Sequence, residues 1–378
     1  MAEKEEALSL HSKKPGKISV EPSIDISTRK DLELVYTPGV AEPCRKISED
    51  EEKAYDYTSK GNLVAVVSDG SSVLGLGDIG AEAAMPVMEG KANLMKKFGG
   101  VDGFPICINA DSAEDIIEHV EREAPTFGAV NLEDIKAPRC FKAEEELKEK
   151  LDIPVFHDDQ HGTAIVVGAA LRNALELADK DLEDSRIVIS GAGAAGIAVA
   201  NFLLESGAEN IVPADSSGIL RTEDENSYKA DLAERTLASE EEGDLEDAME
   251  NADVFIGLSA PGIVSQEMVG SMAQKPIVFA LANPDPEIYP DEAKEAGAFI
   301  TATGRSDFDN QVNNSLAFPG VFRGALDART SEITEDMKIA ASNVIKEFID
   351  PEKDKIVPET LDKELAMEIA DKVREEAD

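Results

Sequence analysis

The chain is predicted to be an α/β protein of two domains, the second a doubly wound parallel sheet of the Rossmann type. Three observations predict it. Short apolar runs alternate with longer amphipathic stretches along most of the 378 residues. The runs are continuous rather than alternating, as in strands covered on both faces of a parallel sheet. One of them leads directly into a glycine fingerprint and an alanine-rich helix. At roughly 150 residues per domain the length allows two or three domains, and the pattern fits two.

Strand-like runs cover 63–69, 104–110, 127–135 and 153–159 in the first half, then 186–193, 210–216, 253–260, 276–284 and 298–304. Between them, 113–124, 162–180 and 196–207 space apolar residues three and four apart, as a helix with one buried face requires. Strand then helix, repeated, indicates parallel sheets with crossover helices. From Thr163 to Leu171 the chain carries no charge, so the first half of the helix beginning near Gly162 is expected to lie buried between domains. The boundary is placed there, giving domains 1–160 and 161–330 and a tail, 331–378. The tail contains two acidic amphipathic helices, around 331–349 and 359–377, separated by Pro351 and Pro358, and is expected to dock back.

Charge narrows the function. With 37 lysines and arginines against 78 aspartates and glutamates, the formal charge is −41 at pH 7. Nucleic acids and anionic membranes attract cationic surfaces and would repel this one. An apolar content of 42% supports a large core, not disorder. No stretch reaches the roughly 20 apolar residues of a membrane span, and the first residues lack the apolar core of a signal peptide, so a cytoplasmic location is expected. Cys44, Cys107 and Cys140 are too scattered for a disulfide framework or a metal site and are expected to be free, mostly buried thiols. The acid is spread along the chain, as in 49–52, 144–146 and 240–242, instead of forming one tail. Such a surface repels itself and salt screens the repulsion, which points to a halophilic protein adapted to a salty cytoplasm.

The fingerprint is Gly191-Ala192-Gly193-Ala194-Ala195-Gly196, between a strand and a helix. There Gly191 makes the tight turn, Gly193 lets the backbone approach a pyrophosphate and Gly196 allows the helix to pack closely on the strand. The free N–H groups of the helix, from Ala194 and Ala195 onward, face the phosphates. Asp215 ends the next strand, where an acid bonds the adenosine ribose. It favours NAD, although Ser216, Ser217 and Arg221 follow and could accommodate the 2′-phosphate of NADP. A second match, Gly75-Leu76-Gly77-Asp78-Ile79-Gly80, lacks this strand context and is read as a tight loop.

Two runs end in paired acids, Glu133-Asp134 and Asp158-Asp159. If those strands are parallel neighbours, four carboxylates meet at one sheet edge and repel unless a cation joins them. Hard oxygen ligands without cysteine fit Mg²⁺ or Mn²⁺. His157 and His161 flank the acids and are read as packed or hydrogen-bonded histidines rather than ligands.

These residues resemble a family, the malic enzymes in their short prokaryotic form. The resemblance runs in order through Tyr36-Thr37-Pro38-Gly39-Val40-Ala41, Val67-Ser68-Asp69-Gly70, the Gly75 to Gly80 loop, Glu89-Gly90-Lys91-Ala92, Asn131-Leu132-Glu133-Asp134 and the His157 to Ala164 segment. It continues through the glycine fingerprint, Ala282-Asn283-Pro284, Gln311-Val312-Asn313-Asn314 and Phe318-Pro319-Gly320. It implies an N-terminal domain for substrate, metal and dimerisation, joined to the NAD(P)-binding domain. The implied reaction is oxidative decarboxylation of (S)-malate to pyruvate and CO₂ with reduction of NAD or NADP, assisted by Mg²⁺ or Mn²⁺.

By that resemblance Glu133, Asp134 and Asp159 are metal ligands, Lys91 is the general base, Asp158 supports it and Tyr36 is the general acid. Asn283, Asn313 and Asn314 are expected around the substrate, with Asn283 also beside the coenzyme. The Tyr36 segment is expected to complete a neighbour's site, implying a homodimer. Larger members carry an arginine in the loop before the Gly75 motif, where this chain has Ser71-Ser72. A lysine base calls for a pKa lowered by burial. Alternatives are a malolactic-type decarboxylase releasing lactate, a silent NAD(P)-sensing module, and an amino-acid dehydrogenase of similar layout.

Overall fold

The computed structural model describes residues 2–377 except Pro15, Leu74 and Leu361. Its first sheet consists of β1 (Leu63–Ser68), β2 (Asp102–Cys107), β3 (Ala129–Leu132) and β4 (Val155–His157), all parallel, in the order β2-β1-β3-β4. The apolar run 64–67 fills the middle of the sheet and is buried on both faces, whereas the edge strand β2 is largely open. Helices Ala81–Leu94, Ala113–Glu123 and Arg139–Lys150 make the crossovers. Their starts are built as the sequence suggests: Ser112 caps Ala113–Glu123 through a reciprocal pair with Asp115.

The second sheet consists of β5 (Ile187–Ser190), β6 (Ile211–Asp215), β7 (Gly218–Ile219), β8 (Val254–Gly257), β9 (Ile277–Ala280) and β10 (Ile300–Thr303). Their order is β10-β9-β8-β5-β6-β7, parallel except for β7. The chain runs from β5 to one side and returns at β8 to the other. That reversal opens a crevice at the carboxyl ends of β5 and β8, where open α/β sheets bind ligands. Strand β7 is two residues long and pairs antiparallel with β6, too short to leave a hydrophobic pattern.

The helix expected near Gly162 begins four residues earlier and runs Asp158–Ala178. His157 ends β4, so the second acid pair occupies the first helical turn, where the helix dipole favours negative charge. Residues 164–171 are buried, as their lack of charge suggests. Gly168 lets Phe202 of helix Ala194–Glu205 approach: a Cβ there would lie 2.3 Å from the ring. Further along, the Arg172 guanidinium binds Ser342 and Asn343 of helix Glu335–Glu347. Helix Lys363–Glu375 packs on helix Phe318–Ala328 and on the turn Met95–Gly99, so the tail docks on both halves of the chain.

Before β1 come helices Ala2–Lys13, Arg29–Val35, Ala41–Glu49 and Ala54–Tyr57, and the last three bury no residue. Leu32, Leu34, Val35, Tyr36 and Val40 are exposed. Of the cysteines only Cys140 is buried; Cys44 is exposed and Cys107 half-buried, because they lie on the open N-terminal helices and on an edge strand.

Candidate active site

Leu132 of β3 pairs with His157 of β4, so the residues that follow each strand emerge side by side. Glu133 stays in line, its N–H donating to Val67 O. Asp134 adopts a left-handed φ of 54°, and its N–H donates to Asp159 Oδ2 at 2.8 Å. Lys91, on helix Ala81–Leu94, reaches into the same place. Its Nζ lies 2.8 Å from Glu133 Oε1, 2.5 Å from Asp158 Oδ2 and 4.4 Å from the centre of the Phe318 ring. Only 8% of the lysine is exposed, against 3% of Glu133 and none of Asp158. Lys91 is thus no surface lysine.

The four carboxylates divide. Glu133, Asp134 and Asp159 can each turn one oxygen to a common point, these atoms lying within 4.8 Å of one another, while Asp158 pairs with Lys91. Lys91 reaches Glu133 and Asp158, and the oxygens of Glu133, Asp134 and Asp159 converge as a cation would require. Three carboxylates and no thiolate suit a hard divalent ion such as Mg²⁺ or Mn²⁺.

The electrostatics follow from that arrangement. Burial works to lower the Lys91 pKa, but Asp158, Glu133 and Asp159 outweigh it and hold the ammonium protonated well above its usual range. The sequence expectation of a lowered pKa therefore fails for the lysine among bare carboxylates. Burial pushes the Asp158 carboxyl up to about 6 despite Lys91. Burial and the neighbouring acids raise Glu133, with Lys91 opposing. Asp159 is held low against burial by His157 and the Asp134 N–H.

Both histidines contact side chains around the cluster. Gln160 Nε2 lies 2.8 Å from His157 Nδ1, and His157 Nε2 sits 3.3 Å from Asp159 Oδ2 without the alignment of a hydrogen bond. His161 Nε2 is 2.8 Å from Glu144 Oε1. Ser71, in the place of the family's arginine, is committed to Asp69 and the Lys136 N–H.

In the second sheet Gly191 follows β5 with a φ of 111°, and a Cβ there would lie 2.5 Å from Leu258 O. A Cβ on Gly196 would lie 1.7 Å from Gly191 O, so the helix rests directly on the turn. Gly193 caps helix Ala194–Glu205, with Ala194 and Ala195 in its first turn and no heavy atom within 4 Å of an added Cβ. Asp215 ends β6; Lys229 Nζ lies 2.5 Å from its Oδ2, and the Ser217 N–H donates to its Oδ1 at 2.7 Å. Ser190, Gly191, Asp215 to Gly218 and Ser259 line a cavity of about 660 Å³. The Gly75 to Gly80 segment is a loop set apart from β1, with positive φ at Gly75, Gly77 and Gly80, and its last glycine N-caps helix Ala81–Leu94.

The two halves meet here. A Cβ on Gly75 would lie 2.9 Å from Pro284, so the first-half loop touches the Asn283-Pro284 segment. A Cβ on Gly162 would lie 1.8 Å from Asp158 Oδ1 and 3.2 Å from the Asn314 Cβ, which sets Asn314 beside the cluster. Asn313 instead caps its own turn, accepting from the Ser315 N–H at 2.9 Å. Tyr36 is not brought in: 67% exposed at the end of helix Arg29–Val35, its hydroxyl binds no described residue.

Sequence reasoning missed Asn131, which donates to Glu133 Oε2 at 2.8 Å, and Glu144, which sits among acids that read as surface. A signal for Glu144 existed: it occupies the buried stripe Cys140, Ala143, Glu144, Leu147 of its helix.

A doubly wound sheet with this glycine turn, facing a domain that holds a buried lysine among carboxylates, defines an oxidoreductase that uses a nicotinamide dinucleotide. Two family models match in order: "Malic enzyme, N-terminal domain" over residues 15–115 and "Malic enzyme, NAD binding domain" over residues 160–378. The chain belongs to the malic enzyme family. It is 52% identical to the bifunctional malic/malolactic enzyme of Bacillus subtilis, over 100% of this chain and 93% of that one. It is 56% identical to the NAD-dependent malic enzyme of Geobacillus stearothermophilus, over 88% of this chain and 70% of that one. The crystal structure of the NAD-dependent malic enzyme from Thermotoga maritima superimposes with a TM-score of 0.95 at 48% identity, over 97% of this chain and 98% of that one. Among the described residues no helix is long and apolar enough to cross a membrane.

Proposed function

We propose that the buried cluster is where (S)-malate is oxidised and decarboxylated to pyruvate and CO₂ as NAD(P) is reduced, and that the reaction depends on a divalent metal. The observation that carries this reading is Lys91, enclosed and bonded at once to Glu133 and Asp158 beside three convergent carboxylates. A Mg²⁺ or Mn²⁺ ion held by Glu133, Asp134 and Asp159 would supply a Lewis acid for the substrate oxygens and draw carboxylate charge away from Lys91. Lys91 then takes the C2 hydroxyl proton as the C2 hydride leaves, and Asp158 holds the ammonium so formed. Asn283 and Asn314 hold the substrate carboxylate, with Asn313 behind them, and Tyr36 returns a proton to C3 after CO₂ departs. The Gly191 to Gly196 turn binds the coenzyme pyrophosphate, Asp215 the ribose and Asn283 the nicotinamide side.

Residues 1–160 serve as the substrate, metal and dimerisation domain, 161–330 as the coenzyme domain and 331–378 as a docked tail. The exposed apolar side chains around Tyr36 support a homodimer in which that segment completes the partner's site. The unpaired acid supports a cytoplasmic protein adapted to high salt.

The test is reduced-nicotinamide absorbance with malate and Mn²⁺, comparing NAD with NADP at low salt and in molar KCl. Reduction that a chelator abolishes, with stoichiometric pyruvate, is expected. Silence with both coenzymes at every salt concentration refutes the reading. The name of the Bacillus subtilis relative favours a second reaction at the same site, malate to lactate without net coenzyme reduction. Lactate formed with no reduced coenzyme accumulating would establish it.

A further inference from the structure

Glu144 takes part in none of these steps, although its side chain is only 6% exposed. Four donors converge on its carboxylate. Three belong to the segment that leaves β4 and carries Asp158 and Asp159: the His157 N–H at 3.2 Å, Gln160 Nε2 at 3.0 Å and His161 Nε2 at 2.8 Å. The fourth is Lys148 Nζ, at 2.9 Å. We infer that Glu144 is a positioning residue that clamps this turn and so aims Asp159 at the metal, an inference that rests on the metal reading above.

The clamp works through what each group is able to donate. A carboxylate only accepts, so the Gln160 amide must turn its Nε2 toward Glu144. The same Nε2 lies 2.8 Å from His157 Nδ1, which therefore accepts. The His157 proton is then on Nε2, the nitrogen 3.3 Å from Asp159 Oδ2. On the other side, Lys338 Nζ can only donate and lies 3.1 Å from His161 Nδ1, so the His161 proton is on Nε2 and points at Glu144. One carboxylate thus sets an amide orientation and two tautomers, and leaves the proton-bearing His157 Nε2 3.3 Å from the carboxylate of a proposed ligand, unaligned on it. Groups in this relation to a metal ligand typically alter affinity by about 10–100-fold when replaced. Lys338 is 2% exposed on helix Glu335–Glu347, where it also binds Glu335 Oε1 at 2.7 Å. Its helix is thereby tied to the turn from the far side.

The experiment uses the full chain, with Mn²⁺ binding followed by electron paramagnetic resonance without malate or coenzyme. Coenzyme binding and thermal unfolding are measured alongside. Three donors meet Oε1 and Gln160 alone meets Oε2, so in Glu144→Gln the amide keeps one accepting oxygen, its nitrogen end faces a donor, and the Gln160 arm to His157 is released. Mn²⁺ affinity is expected to fall at least about tenfold, with coenzyme affinity within twofold of the parent. A merely structural role would lower the unfolding temperature without separating the two affinities. Gln160→Met cuts only the arm from Glu144 to His157, and is expected to weaken Mn²⁺ binding in the same direction should Glu144→Gln not fold. Mn²⁺ affinity within twofold of the parent in the folded variants overturns the inference. Asp159→Ala separates the two levels: if it binds Mn²⁺ like the parent, the metal reading fails and the clamp with it. If it loses Mn²⁺ while the other two variants do not, only the clamp fails.

Discussion

Alanine at Gly193 and at Gly196 should damage the same binding site by opposite routes. A Cβ on Gly196 would lie 1.7 Å from Gly191 O and 2.8 Å from Gly191 C. An ordinary contact between such atoms is about 3.3 Å, so helix and turn must part by roughly the difference. The turn cannot yield. Its N–H is bonded to Ala214 O at 2.8 Å, and its own Cβ direction is closed by Leu258 O. Gly196→Ala therefore lifts the helix from β5, at a cost of about 1–3 kcal/mol for overpacking, and displaces the N–H groups meant for phosphate. Gly193 differs: its φ of −91° suits alanine, and nothing lies within 4 Å of the added methyl. Gly193→Ala should leave the unfolding temperature within about 1 °C yet raise the coenzyme Kd at least about tenfold, or 1.4 kcal/mol. Calorimetry and coenzyme titration of both variants decide. An unchanged Kd in Gly193→Ala means that no pyrophosphate crosses there, and an unchanged unfolding temperature in Gly196→Ala refutes the close seating of the helix.

Three further outcomes are expected. Lys91→Met should lower kcat by at least about 10²-fold while coenzyme binding stays within twofold; turnover near the parent's refutes the base assignment. His161 is pushed down to about 4 by burial, against the opposing pull of Glu144. Because its folded pKa lies below the ordinary 6.5, its contribution to stability is complete above pH 6.5 and is lost as pH falls toward 4, up to about 3 kcal/mol. The unfolding temperature of the parent should thus fall more steeply between those limits than that of His161→Gln, and parallel curves refute the argument. Molar KCl should raise the unfolding temperature by several degrees by screening the excess of acid; a flat response removes the case for salt adaptation.

What could be read in advance was local. The fingerprint, its strand and its helix lie within a few residues, so glycine spacing read together with those flanking runs marks the turn. The acid pairs interrupt apolar runs, and parallel pairing of β3 with β4 is enough to bring them together. What could not be read depends on partners far along the chain. Lys229 binds Asp215 from the next helix, and the Lys91 environment joins a helix, two strand ends and Phe318. The expectation for Lys91 failed for that reason: burial was inferable from one segment, whereas the three carboxylates that outweigh it come from others. The open N-terminal helices escaped notice because their apolar residues meet no core.

The acid itself has two uses that composition cannot separate. Acids outnumber cations by 41, so many carboxylates have no protein partner and must be solvated. Six acids are buried among the described residues: Asp69, Glu133, Asp134, Glu144, Asp158 and Glu287. Asp69 binds Arg139 and Ser71, and Glu287 takes the N–H groups of Ser259 and Ala282 at 2.9 and 3.1 Å. The other four gather around one turn. The run 144–146 shows how close the two uses lie, since Glu144 is enclosed while its two neighbours reach solvent. Salt screens the solvated acids but scarcely reaches buried ones. Stability should therefore respond to salt more strongly than the Lys91–Asp158 pairing within the cluster does.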